Sequence, residues 1–518
     1  MSAAARRVLI RADASTRIGT GPVARCLALA AALCETGVTS VFVMRDLGVD
    51  AAKRIREAGH DVRVLPRSSE PFAQLAEAPL HAEWAEVDQH RDAEETVAVA
   101  GAMTFAAVIV DSYSFDARWH DLVGTGLAAP VVVIDDLADR DLSAVLVVDH
   151  NAHRDHREKY RSLIGQAQLL GGPRYALLDP RYADAPRYDL ADGVASIGIF
   201  LGGVDAHGLS APVARGLRQA GFGGVIEVAT TSANNALIAL REAAVEADFV
   251  LLADAPDLAE FFARHDLQLG AAGGAAWERC CIGAPTVAVA TATNQLQVLR
   301  PLRDLDVVDV VDGEPPTVSA IVAAIQSLAA DIDRRRSLTE RSRVLVDGQG
   351  AIRVAIAVAA LDGLGVRPIA FDDAALMHRW RNHPATRAAS RGAQEILLED
   401  HERWLSATLA SGARTLLMVQ AGTRPIGVVG FAREDEQAEV SIYLDPLCFG
   451  LGLGSAVLAA AERFLSGQIE RDILLTAQTL SHNAASRTLF EASGYRFVGD
   501  RFEKLLSHTR EEDNVQGW

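Results

Sequence analysis

The sequence lacks the raw material for a disulfide framework or a cysteine metal cage. Its five cysteines are odd in number, show no CxxC spacing, and include the adjacent pair Cys280 and Cys281. That scarcity fits a reducing compartment in which thiols serve as small apolar side chains. Long apolar runs are missing as well. No stretch reaches the roughly 18 uncharged apolar residues of a membrane span, and the apolar stretch in MSAAARRVLIRADAS is too short for a signal peptide. Positive charge is in deficit: 50 Lys and Arg stand against 68 Asp and Glu, a net charge of −18. With no basic stripe to hold a phosphate backbone, nucleic acid is not an expected partner, and neither is a membrane. The expected location is cytoplasmic. Small anions stay open, because helix N-termini hold them whatever the net charge.

What is present is ordinary for a globular protein: 49% hydrophobic and 23% charged residues over 518 positions. That length calls for about three to four structural units. The first half alternates short apolar runs with amphipathic stretches. VLIRA (8–12), VFVM (41–44), AVIVD (107–111) and VVVID (131–135) have the continuous apolarity of parallel strands buried on both faces. The stretch 23–37 reads as a helix closed by a glycine. After a polar connector at 179–193, a second series follows at 195–203, 225–230, 248–253, 267–274 and 286–291, with helices over 317–362. The expectation is an α/β chain with two Rossmann-like lobes, 1–185 and 186–365, binding ligands beyond the carboxyl ends of their strands. From 366 to 518 the pattern becomes α+β. A helical region (372–411) precedes antiparallel-type strands, then come a glycine turn, a helix near 454–466, a strand, a helix over 483–493 and a last strand.

Phe449, Gly450, Gly452, Gly454 and Ser455 lead from a strand into a helix, and glycines there let main-chain N–H groups close around a pyrophosphate. Further on stands Asn483-Ala-Ala-Ser-Arg-Thr-Leu-Phe490-Glu-Ala-Ser-Gly-Tyr495. This pair of segments resembles the acetyl-CoA signature of the GNAT superfamily. The resemblance implies an N-acetyltransferase with acetyl-CoA as cofactor and Asn483 beside the pantetheine arm. Trp380-Arg381-Asn382, Arg387, Ile396 and His401-Glu-Arg-Trp404 resemble the first helices of nucleotide-amino-sugar acetyltransferases, including that of pseudaminic acid biosynthesis. By that resemblance Trp380, Arg381, Asn382 and Arg387 bind a UDP-amino-sugar. Two positions depart from the superfamily pattern. Phe449 replaces the usual Gln or Arg, and Phe490 replaces a tyrosine that protonates the leaving thiolate. A thiol of pKa about 8.5 leaves as an anion near neutral pH, so the second loss is tolerable.

The N-terminal half opens with strand, glycine loop and helix: Arg11, Asp13, Gly19, Gly21, Pro22 and Arg25. Later come Asp111-Ser-Tyr113, Asp135-Asp136, Gly172-Pro-Arg-Tyr175, Gly202-Gly203-Val-Asp205, Gly273-Gly274-Ala275-Ala276-Trp277-Glu278 and Asn294-Gln295. In this order they resemble the UDP-sugar hydrolases of pseudaminic acid biosynthesis, which have the glycosyltransferase-B fold and are related to the peptidoglycan glycosyltransferase MurG. The resemblance implies substrate binding by Gly19, Gly21, Arg25, Tyr113, Gly202, Gly203, Asp205, Gly273, Gly274, Glu278 and Gln295, and a catalytic role for Asn294. The glycine turns at 202–203 and 273–274 are expected to open helices and hold a diphosphate. Here the chain departs again. Pro22 occupies the place of the family's water-activating histidine, and Ala275 and Ala276 replace hydroxyls. Asp13, on the same loop, is the ionisable candidate left for the base. His150, His153 and His156 read as a polar loop rather than a metal site. The expectation is a bifunctional enzyme that N-acetylates a UDP-4-amino-4,6-dideoxy-sugar and hydrolyses the UDP-2,4-diacetamido product. The alternatives are a front module that only binds a nucleotide-sugar, or a glycosyltransferase.

Overall fold

The computed structural model describes residues 6–69, 72, 77–255, 258–291, 295–313 and 316–508. Residues 8–32 and 40–354 make up one compact unit, and the chain from 355 onward belongs to a second.

The first unit begins with β1 (Arg7–Ala12), β2 (Thr39–Arg45), β3 (Asp61–Leu65), β4 (Ala107–Asp111), β5 (Val131–Ile134), β6 (Leu146–Asp149) and β7 (Gln168–Gly171). They pair in the order β3-β2-β1-β4-β5-β6-β7, and the pairs β2–β3, β1–β4, β4–β5, β5–β6 and β6–β7 are parallel. β4, β5 and β6 are buried along their whole length, as strands covered by helices on both faces must be. A second parallel sheet follows: β8 (Ser196–Phe200), β9 (Val225–Thr230), β10 (Val250–Ala253), β11 (Leu267–Ala271), β12 (Thr286–Val289) and β13 (Asp309–Val311). Its order is β10-β9-β8-β11-β12-β13. Two Rossmann-like sheets in succession make a module of the glycosyltransferase-B type.

In each sheet the winding reverses once, between β1 and β4 and between β8 and β11. A crevice opens at such a switch point beyond the carboxyl ends of the strands. The first crevice is therefore framed by Asp13 and Asp111, the second by Gly202–Gly203 and Gly273–Gly274. One expectation is corrected here. Gly273–Gly274 open the helix Ala275–Ile282, but Gly202–Gly203 do not open a helix, because the next one starts at Ser210. The connector at 179–193 links the two sheets and is packed down. Tyr182 and Tyr188 are buried in the core of the second lobe, and Tyr188 N–H donates to the Ile282 carbonyl. Aromatic packing, invisible in a polar composition, fastens the segment down.

The second unit holds β14 (Leu364–Pro368), β15 (Arg414–Ala421), β16 (Arg424–Glu434), β17 (Gln437–Leu444), β18 (Ile473–Ala477), β19 (Arg496–Val498) and β20 (Arg501–Leu506). The sheet order is β14-β15-β16-β17-β18-β20-β19, antiparallel except for the parallel pair β17–β18. The helices Ala374–Asn382 and Leu398–Ser411 bury Met377, Trp380 and Leu405 against Leu416, Met418 and Val428. The helix Gly454–Ser466 packs on β14, β15 and β16. Among the described residues no helix is long and apolar enough to cross a membrane.

Candidate active sites

The C-terminal sheet contains a built-in opening. β17 pairs with β16 as far as Leu444, but with β18 only from Gln437 to Glu439. Beyond Glu439 and Thr476 the two strands part, which leaves a wedge along residues 440–444. A parallel pair inside an antiparallel sheet cannot be closed by a hairpin, so the chain crosses over between them through a helix. That crossover is the glycine turn and the helix Gly454–Ser466, whose N-terminus therefore points at the mouth of the wedge. Gly450 and Gly452 have φ of +81° and +68°, a conformation that other residues adopt only with strain. A side chain at Gly454 would come within 2.9 Å of Leu489 Cδ1. Among the described residues no side chain caps the helix, which leaves its first N–H groups and its dipole to an anion. Ser455 lies in its first turn, and Phe449, ahead of the glycines, packs edge-on to His383.

The other residues expected here divide into those near the wedge and those that hold the fold. Asn483 caps the helix Ala484–Ala492 by accepting from Ser486 N–H (3.0 Å) and donates to the Ala389 carbonyl (3.1 Å). Both ends of its amide are thus engaged inside the protein. Phe490 is buried against Phe502 and Tyr495, so this position is a core aromatic. Trp380 is likewise buried in the core of the domain. Asn382 ties down the following loop: it accepts from Ile396 N–H and donates to the Ile396 carbonyl. Arg381 donates to the Gly392 carbonyl, but its Nη1 is buried without a partner among the described residues, as is Nε of Arg387. Tyr443, to which the sequence reading gave no role, stands on the wedge strand with its phenol pushed up by burial and pulled down by Arg381. Its place at the end of a strand pairing was the signal, and that signal appears only in the sheet register.

In the N-terminal lobe a small cleft at the switch point is lined by Asp13, Ile18, Pro22, Trp84, Asp111, Ser112, Tyr113 and Ser114. Arg25 grips Asp111 with two bonds of 2.5 Å. Tyr113 donates to Asp136 (2.5 Å), and Asn151 donates to the other oxygen of Asp136 (2.6 Å). Burial alone would raise the Asp136 carboxyl, but Arg25 and His150 hold it below the usual range. Trp277, from the second lobe, donates to Asn151 (3.0 Å), so one hydrogen-bonded path joins the helix of Gly273–Gly274 to Tyr113. Gly19 has φ +78°, and it closes the loop by donating to the Ser15 carbonyl. Gly21 is the first residue of its helix. Asp13 Oδ1 is committed twice, to Arg11 Nη1 (2.5 Å) and to Arg45 N–H (2.7 Å).

In the second lobe Asp205 caps the helix Ser210–Gln219 by accepting from Leu209 and Ser210 N–H, and the Gly203 carbonyl accepts from Thr230 and Thr231. These roles fix the loop. Glu278 is half-buried in the first turn of its helix. Gln295 accepts from Thr291 N–H at 2.9 Å, whereas Asn294 lies outside the described residues.

Residues 364–496 match the model of the acetyltransferase (GNAT) domain. The C-terminal part is a GNAT acetyltransferase domain. No curated protein matches the sequence. Among solved structures, this GNAT domain is similar to spermidine N-acetyltransferase from Vibrio cholerae in complex with CoA and spermine, with 18% identity over 28% of this chain and 96% of that one, TM-score 0.25. The two-lobed part is similar to MurG from Acinetobacter baumannii, with 14% identity over 68% of this chain and 99% of that one, TM-score 0.48. It is also similar to CalG4, the calicheamicin glycosyltransferase, with 16% identity over 69% of this chain and 98% of that one, TM-score 0.47.

Proposed function

We propose that the chain is a bifunctional nucleotide-sugar enzyme. Its GNAT domain transfers an acetyl group from acetyl-CoA to the amine of a UDP-4-amino-4,6-dideoxy-sugar, and its two-lobed module hydrolyses the UDP-2,4-diacetamido product to free sugar and UDP. This places it in the class of nonulosonic (pseudaminic-type) acid biosynthesis. The observation that carries the reading is the wedge between β17 and β18, with an uncapped helix N-terminus at its mouth. Gly450–Ser455 would hold the pyrophosphate of acetyl-CoA, and the strand edge at residues 440–444 would hold its arm. Acyl transfer then rests on holding the amine against the thioester and on strand amides that polarise its carbonyl. Two unpartnered guanidinium nitrogens, on Arg381 and Arg387, suit an acceptor that carries a diphosphate.

For the two-lobed module the support is the paired switch points, one offering glycine amides at a helix N-terminus and the other a cleft of acidic and aromatic groups. A specific observation favours a second reading, a module that binds a nucleotide-sugar without turning it over. Pro22 lines the cleft with no titratable group, and Ala275 and Ala276 add no hydroxyl to the second lobe's loop. One assay separates them. Incubate the protein with acetyl-CoA and the UDP-4-amino-4,6-dideoxy-sugar and follow CoA and UDP separately. Release of both supports the bifunctional enzyme; release of CoA alone, with UDP still bound to sugar, supports the binding module.

A further inference from the structure

Hydrolysis at the anomeric carbon needs a group to take a proton from water, and Pro22 cannot. The cleft around Pro22 has a second wall, the segment that ends in the short 3-10 helix Ala82–Ala85. This segment is fastened at two points. Ser114 Oγ donates to the His81 carbonyl (2.9 Å), and Glu83 pairs at 2.7 Å with Arg17, in the loop just before the helix that contains Pro22. The result is a triangle of rings: His81 lies 4.4 Å from Trp84 and 6.0 Å from Tyr113, which lie 6.1 Å from one another. Trp84 and Tyr113 line the cleft together with Pro22 and Asp13. Among the described residues no hydrogen bond engages either ring nitrogen of His81, whereas Asp13 has Oδ1 committed to Arg11 and Arg45. Half-buried and without a hydrogen-bond partner among the described residues, His81 stands against two of the rings that line this cleft, Trp84 and Tyr113.

We propose that His81 is the water-activating base of the two-lobed module; this rests on the reading that the module hydrolyses a nucleotide-sugar. The oxygen of a water bonds to the anomeric carbon while His81 takes one of its protons. The bond from that carbon to the phosphate oxygen breaks, and its electron pair leaves with UDP. The imidazolium then gives its proton to solvent, so water and nucleotide-sugar become free sugar, UDP and one proton. Burial holds the His81 imidazole below the ordinary histidine range; Arg140 pushes the same way, while Asp139 and Glu83 oppose. The ring is therefore neutral near pH 7, the form that accepts a proton.

The test uses the full chain with the UDP-2,4-diacetamido-trideoxyhexose, reading UDP release, and with UDP alone, reading affinity. His81→Gln should slow UDP release by about 10²–10⁴-fold and leave UDP affinity unchanged. His81→Phe, which keeps a ring against Trp84, should be equally slow, because packing is not the function. The wild-type rate should fall on the acid side, at a pH below the ordinary histidine value of about 6.5, and the residual rate of His81→Gln should lose that limb. Adding Pro22→His to His81→Gln should restore turnover. Wild-type turnover that both His81 variants leave intact would overturn the proposal alone. So would a rate loss that tracks a loss of UDP affinity, or that His81→Phe does not share. UDP binding without any wild-type turnover would overturn the hydrolytic reading and His81 with it.

Discussion

Asp92 is fully buried, yet it accepts from Arg11, from Arg45 and from the Trp119 indole, at 2.7 to 3.2 Å. The same two arginines reach Asp13, so this cluster aims the first residue beyond β1 at the cleft. Removing one partner of a buried ion cluster leaves the others uncompensated. Asp92→Ala should therefore cost about 3–5 kcal/mol and lower the thermal midpoint of the two-lobed unit. An unchanged midpoint would mean that water reaches the arginines. Burial by itself would raise the Asp92 carboxyl, but Arg11 and Arg45 outweigh it and hold it below the usual range. Its contribution is thus present above the unfolded value of about 3.9 and is lost as pH falls through the lower folded value. His120 works over a different window. Burial, aided by Arg140, lowers it to about 3, and both ring nitrogens lack partners among the described residues. The unfolded chain takes up that proton near pH 6.5, the folded one only near 3, so stability falls as pH is lowered across that interval. His120→Phe should flatten part of this slope in urea titrations at successive pH values. None of these partnerships is legible in the sequence, since Arg11 and Asp92 stand 81 positions apart and nothing local marks them as a pair.

At the scale of elements the sequence was readable wherever the backbone alone makes the demand. The strands β1, β4 and β5 are continuous apolar runs and fall where expected, and the helix Gly454–Ser466 follows its glycines directly. The strands β3, β6, β7 and β13 were not anticipated; β3, β7 and β13 are partly exposed strands at sheet edges and so lack a continuous apolar run. Sheet register was also out of reach, and with it the wedge. Glycine positions, by contrast, carry their reason with them. Gly452 holds φ +68°, so Gly452→Val forces a β-branched residue into a strained conformation and places a side chain where the pyrophosphate must approach. Acetyl-CoA affinity, measured by calorimetry on the full chain, should fall by at least about 100-fold, roughly the 3 kcal/mol that strain and lost main-chain contacts supply together. Retained affinity would move the cofactor away from this turn. Asn483 marks the limit of such reasoning. The resemblance implied a place beside the pantetheine arm, and in the structure the same residue caps a helix, a role that residue type and position alone cannot tell from a ligand contact.

For the molecule as a whole, joining the two proposed activities in one chain would have a kinetic consequence. If acetylation precedes hydrolysis, the product of the GNAT domain is the substrate of the two-lobed module. A tether then raises its local concentration toward the millimolar range that short flexible links give. The order of steps is testable because each module can be silenced separately. With the UDP-4-amino-sugar as sole sugar, UDP release should require acetyl-CoA and should lag behind CoA release. Gly452→Val should abolish both signals, because no acetylated intermediate forms. Supplying the pre-acetylated UDP-sugar to that variant should restore UDP release while CoA stays silent. Conversely, Glu278→Gln in the second lobe should leave CoA release within about twofold of the parent and slow UDP release alone, because the residue belongs only to the two-lobed module. UDP release from the unacetylated amino-sugar at the full rate without acetyl-CoA would reverse the proposed order. Failure of the pre-acetylated sugar to rescue the Gly452 variant, with its fold intact, would show that the two-lobed module does not act on the GNAT product.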